Sequence, residues 1–208
     1  VITALTGILN EWAVRLPSAA AGLVGLWATV RLGERLWSRQ TGCLAGWILL
    51  TSYGFLLWSR TAAAETENMA AIIVCVLWYW SRRDHPGFIT FLVLYLIAFI
   101  GAMNKGLPAV VVPVIAIAPD FLEEGRWKEW LRPSHFLALG IGVAVYLSPF
   151  IYASVNQPAS YQSSGLALVF QENIQRFFAP IDHQQPFYIY IYSVPALILP
   201  WAPLFIAG

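Results

Sequence analysis

Residues 87–103, GFITFLVLYLIAFIGAM, carry no charged side chain. A run that long and that apolar comes close to the roughly 20 residues a helix needs to cross a bilayer. Six further runs of the kind follow or precede it, so the candidate spans are about 17–36, 42–58, 67–81, 87–103, 107–120, 135–154 and 187–207. The third and fifth are short, and Pro113 invites division of the fifth. Lipid offers no partner to an open backbone, and no alternating strand pattern of the barrel type is present, so the spans are expected to be helices. The fold class expected is all-α, a polytopic transmembrane bundle of about seven spans. Composition agrees: 59% of residues are hydrophobic and only 11% charged, too little charge to clothe a water-soluble globule of 208 residues.

The formal net charge of +1 comes without a basic run, which removes nucleic acid as a partner and leaves membrane lipids. Cys43 and Cys75 both fall inside apolar runs and read as small packing residues rather than a disulfide or metal pair. The chain opens at Val1 rather than Met and stops at Gly208 within an apolar stretch, so it reads as an internal piece of a longer protein, and no basic region ahead of a short apolar core marks a cleavable signal peptide.

Short loops rich in Lys and Arg face the cytoplasm. With Arg35 and Arg39 on that side, alternation adds Arg82, Arg83, Arg126, Lys128 and Arg132, and leaves the opposite side only Arg15, Arg60, Lys105 and Arg176. The isolated ionisable residues Glu11, Arg15, Arg60, Glu65, Glu67, Lys105, Glu172, Arg176, Asp182 and His183 then all fall on the outer face. The outer loop 155–186 is long enough to hold its own surface helix, started by Ser163 or Ser164, with Leu166, Phe170, Ile174 and Phe177 on one side and Ala179-Pro180 at its end. Glu172 and Arg176 form an ordinary i, i+4 pair along it. The cytoplasmic loop 120–134, DFLEEGRWKEWLRPS, reads as an interfacial connector without chemistry.

Three stretches carry candidate chemistry. In SRTAAAETENMAA, 59–71, the small residues Ala62–Ala64 let backbones approach closely, which would hold Glu65 near the bundle, whereas a carboxylate at a span end otherwise only marks the water boundary. In MNKGLPAVVVP, 103–113, Lys105 stands between apolar segments and is followed by Gly106 and Pro108. An ammonium there either snorkels to water or meets a carboxylate or phosphate. In FFAPIDHQQPFYIYIYSVP, 177–195, Asp182, His183, Gln184 and Tyr188 precede the last span. Aromatics beside amides and an acid suit a sugar, and an interfacial aromatic belt accounts for the tyrosines equally well. One histidine among scattered acids lacks the spacing of a zinc site, so no metal or other cofactor is assigned and a divalent ion stays open. No GxSxG, Walker A, HExxH or GxGxxG after a strand occurs.

Taken in order, EWAVRLPSAAAGL, LGERLWSRQTGCLAGWILLTS, RTAAAETENM, NKGLPAVVVPVI and FFAPIDHQQPFYIYI resemble the protein O-mannosyltransferase superfamily of polytopic GT-C glycosyltransferases, which includes bacterial aminoarabinose transferases acting on lipid A. The resemblance covers nearly the whole chain and implies a single transmembrane glycosyltransferase domain over 1–208, without its first span, first outer loop and C-terminal part. It implies a multi-pass protein of the bacterial inner membrane that moves a sugar from a polyprenyl-phosphate donor to a lipid, protein or glycan acceptor on the periplasmic face, with inversion at the anomeric carbon. Lys105 matches the family's Lys-Gly position and would contact the donor phosphate, with Arg60 as a second cation against developing charge. Glu65, Asp182, His183, Gln184 and Tyr188 would shape the sugar or acceptor pocket. The family's catalytic aspartate would lie upstream of EWAVRLPS, outside this sequence. A transporter or flippase of lipid-linked sugars is the alternative, and would show charged or broken positions at the midplane together with repeat symmetry.

Overall fold

The computed structural model describes residues 10–84, 87–123, 125–156, 165–175, 186 and 188–207. Among these, every regular element is helical: α1 (Glu11–Leu36), α2 (Arg39–Thr51), α3 (Tyr53–Trp58), α4 (Glu65–Arg82), α5 (Phe88–Lys105), α6 (Pro108–Glu123), α7 (Trp127–Trp130), α8 (Pro133–Asn156), α9 (Leu166–Phe170) running into a π-turn (Gln171–Gln175), α10 (Ile189–Leu197) and α11 (Ala202–Ala207). Three of them, α1, α5 and α8, are long and apolar enough to cross a membrane, and α6 is a shorter apolar helix. The expected second span is broken at Ser52 and the expected seventh at 198–201. The chain divides into two compact units, residues 1–81 with 186–208, and 82–185.

In the first unit, α1 begins with a side-chain cap: Asn10 Oδ1 accepts from the Ala13 N–H at 2.8 Å, and Glu11 sits in the first turn, where a negative charge is favoured. α1 packs on α2 through glycines. A Cβ on Gly33 would stand 2.7 Å from the Gly42 Cα, and one on Gly42 would stand 2.4 Å from the Val30 carbonyl oxygen, so the two backbones touch. Without a hydrophobic force between helices in lipid, such close approach is what holds a pair together. On its other flank α1 meets α4, where the Ser18 hydroxyl, 1% exposed, lies 3.0 Å from Glu67 Oε1 and 3.2 Å from the Ala63 carbonyl. At the opposite end of α4, Arg35 donates to the carbonyls of Trp80 and Ser81 at 3.1 and 3.3 Å, a cation on a helix C-terminus.

The break at Ser52 has a visible cause. Thr51 and Ser52 both turn their hydroxyls back onto the helix, to the carbonyls of Trp47 and Ile48, a bonding mode that competes with the ladder and bends helices. The Tyr53 N–H, left outside α2, donates to the Leu199 carbonyl at 2.9 Å, and Trp201 Nε1 donates to Thr51 Oγ1 at 2.8 Å. The interruption between α2 and α3 is therefore mated to the interruption between α10 and α11, each satisfying polar groups that the other leaves open.

The second unit is built on α5 and α8. Phe91, Leu94, Tyr95, Ala98, Phe99 and Ala102 are all buried at helical spacing along α5, and His135, Ala138, Gly142 and Tyr146 form the matching face of α8. Gly142 lies under Tyr95 and Phe99. Tyr95 hydrogen-bonds His135 Nε2, which is ringed by Phe91, Trp130 and Phe136. α6 adds Ala109, Pro113, Ile117 and Phe121 to this core. At the 120–134 end, buried Asp120 receives Arg83 at 3.3 Å, and Arg126 reaches Asp84 at 3.6 Å, so the polar connector is tied into the unit by ion pairs. Elsewhere large apolar side chains such as Leu23, Trp47, Ile115 and Phe136 face outward, as a hydrocarbon solvent requires. Cys75 is fully buried as a packing residue, whereas Cys43 is exposed on α2 rather than packed. Its neighbour Gly42 takes the contact with α1 instead.

Candidate functional site: the Lys105 corner

The sequence Asn104-Lys105-Gly106-Leu107-Pro108 folds as a sharp corner between α5 and α6. Gly106 has φ 81°, a left-handed conformation that a side chain would strain, and its N–H closes on the Ala102 carbonyl at 2.8 Å to end α5. Pro108 starts α6 in the first helical turn, where its missing N–H costs nothing. Lys105 is thereby the last residue of α5. A cation at a helix C-terminus is already favoured by about 0.3–1 kcal/mol through the macrodipole.

Beside the corner lies a cavity of about 450 Å³, lined by residues 102–106 together with Tyr146 and Phe150 of α8, Leu168 and Val169 of α9, and Asn173 of the π-turn. That volume is within the range of small-molecule sites. The far wall is fixed in place by polar contacts. The Leu166 N–H donates to Ser154 Oγ at 3.0 Å, which seats α9 on the end of α8. Asn173 Nδ2 donates to the Val169 carbonyl at 2.9 Å and to the Tyr146 hydroxyl at 3.1 Å. Tyr146 is 5% exposed, with its ring between Phe99 and Phe150 at centroid distances of 5.7 and 5.5 Å.

The first unit has cavities of its own. Glu65, the first residue of α4, lines one of about 270 Å³ with Thr66, Met69, Ser52, Phe55, Trp58 and Leu197. Arg60, in the turn after α3, lines another of about 340 Å³ with Glu11, Trp12, Arg15 and Ser59, in which Arg15 and Glu11 are paired at 2.6 Å. The two candidates that the sequence places five residues apart thus line different cavities. Glu67 is engaged by Ser18 and packs against α1. Tyr188 stands just before α10 and is 55% exposed. Asp182, His183 and Gln184 lie outside the described residues, as do Ser163, Ser164, Arg176 and Phe177 of the expected surface helix. Within that loop the helical residues described are 166–175. Among the described residues no group of three His, Cys, Asp or Glu side chains is placed to hold a metal ion.

Sequence reasoning passed over Asn173 and Tyr146. The available signal was Asn173 itself, an amide four residues after Val169 on the apolar side of an otherwise amphipathic segment.

Together these features define a helical membrane protein with charged side chains lining small cavities at helix breaks. The family described as dolichyl-phosphate-mannose-protein mannosyltransferase matches residues 1–152, and the chain belongs to that family. It is 28% identical over 203 residues to an undecaprenyl phosphate-alpha-4-amino-4-deoxy-L-arabinose arabinosyl transferase of Erwinia tasmaniensis, and 31% identical over 203 residues to the protein of the same name from Aeromonas salmonicida. A relative of that name in Pseudomonas fluorescens is 26% identical over 204 residues. In each case 94% of this chain is covered, and the chain spans about 35–36% of the length of these curated relatives. No solved structure matches the chain.

Proposed function

We propose that this chain forms the donor-binding part of an integral-membrane glycosyltransferase that takes a sugar from a polyprenyl-phosphate carrier and passes it to an acceptor on the periplasmic face of a bacterial inner membrane. The observation that carries the reading is Lys105, an ammonium at the rim of a partly polar cavity at the end of a spanning helix. The leaving group in such a transfer is a lipid phosphate, and a compact cation near it lowers the barrier by stabilising charge that builds as the glycosidic bond breaks. The family match and the polyprenyl-phosphate donor named in the relatives support the same chemistry.

In this reading the chain passes the membrane about seven times, with the broken segments α2–α3 and α10–α11 serving as spans and 155–186 as an outer loop. Lys105 meets the donor phosphate. Arg60 supplies a second cation, and Glu65, Asp182, His183, Gln184 and Tyr188 contribute to the sugar or acceptor pocket. The acceptor hydroxyl is deprotonated or oriented by a carboxylate contributed from outside this stretch of chain. Replacement of Lys105 by Ala in the full-length protein is expected to lower transfer from a radiolabelled polyprenyl-phosphate sugar about a hundredfold, the size of effect seen when one oxyanion donor is removed. Transfer within a few-fold of wild type would remove the lysine from the donor site.

A further inference from the structure

We infer that the Tyr146 hydroxyl is a second hydrogen-bond donor to the phosphate in the Lys105 cavity, aimed there by Asn173. The inference rests on the donor-site reading of Lys105 and adds a residue that neither the sequence motifs nor the charge pattern singled out.

A backbone carbonyl only accepts, so the Asn173 atom 2.9 Å from the Val169 oxygen is the nitrogen, which fixes the orientation of the amide group. The same nitrogen lies 3.1 Å from the Tyr146 hydroxyl, so both amide hydrogens are spent, one on each partner. Tyr146 Oη accepts in that contact. What it retains is its own proton, a donor, on a side chain that lines the cavity. Ring packing against Phe99 and Phe150 holds the phenol where it is, and the residue is 5% exposed, so its position is set without help from solvent. Opposite, a Cβ on Gly106 would come within 3.1 Å of Asn173 Oδ1; the glycine at the corner leaves this wall open to the cavity. The cavity therefore presents an ammonium and an oriented phenolic O–H, while both hydrogens of the orienting amide are engaged by Val169 and Tyr146. Two donors of this kind fit an oxyanion with several acceptor oxygens.

The test uses the full-length protein in lipid nanodiscs with undecaprenyl phosphate and undecaprenol as probes, and the variants Tyr146→Phe, Asn173→Ala and Lys105→Ala. Phenylalanine keeps the ring packing and removes only the donor. Tyr146→Phe is expected to weaken undecaprenyl phosphate binding about tenfold, the lower end for a hydrogen bond to a charged group, while leaving undecaprenol binding unchanged. Asn173→Ala, which releases the orientation but leaves the hydroxyl, is expected to give a smaller loss with the same selectivity for the phosphate. In turnover, Tyr146→Phe raises the donor KM more than it lowers kcat. Equal weakening for phosphate and alcohol would mean a purely structural ring and would overturn the inference. Wild-type phosphate binding by Tyr146→Phe alongside a loss in Lys105→Ala would overturn it while leaving the donor site intact. Unchanged binding in both variants would overturn the two together.

Discussion

At the scale of single residues, the polar groups sort by what surrounds them. Glu67 Oε1 accepts from the Ser18 hydroxyl between two helices, and that contact needs no ligand to explain it. Ser18→Ala is expected to destabilise the protein by about 1 kcal/mol, the usual net worth of a side-chain hydrogen bond, with little effect on transfer, read by thermal unfolding in detergent alongside an activity assay. A loss of activity without a loss of stability would reverse that assignment. Gly106 is a different case, because its φ of 81° is unfavourable to any residue with a Cβ. Gly106→Ala is expected to cost about 1–2 kcal/mol through backbone strain and to disturb Lys105 directly. The Lys-Gly-x-Pro corner was legible in the sequence because glycine and proline announce their backbone geometry. Tyr146 and Asn173 were not: a tyrosine in an apolar run resembles any core aromatic until its neighbours in space are known.

At the scale of elements, long uniform runs were the most readable. The expectation of a span at 87–103 meets a helix over Phe88–Lys105, and 135–154 meets one over Pro133–Asn156, both runs being long and apolar enough that the backbone in lipid bonds to itself. The expected span at 42–58 is interrupted at Ser52, where two adjacent hydroxyls turn back on the helix. Pro200 hinted at the interruption near 200, but nothing local says that Trp201 reaches Thr51 across 150 positions. The glycine contact between α1 and α2 gives a graded test. Gly42→Leu is expected to cost about 1–3 kcal/mol or more through overpacking, whereas Gly87→Leu, with open space around its Cα, is expected to change stability by less than about 0.5 kcal/mol. Chemical unfolding of both variants measures the difference. Equal costs would mean that the α1–α2 contact is looser than described.

For the whole molecule, sidedness decides whether Lys105 can meet its donor. In a variant lacking Cys43 and Cys75, a single cysteine at Asn104 is expected to react with an impermeant thiol reagent from the periplasmic side of intact cells, and one at Lys128 only after the membrane is opened. The reverse pattern would invert the assigned topology and with it the role of the lysine. The mated breaks at Ser52 and 198–201 also set a timetable for biosynthesis. The Thr51 hydroxyl must wait for Trp201, 150 residues later, and at ordinary translation rates that is between about 8 and 30 seconds. Through that interval the half-helices α2 and α3 leave the ribosome with a backbone donor unmatched, so a nascent chain arrested before Trp201 is a natural target for membrane quality-control proteases.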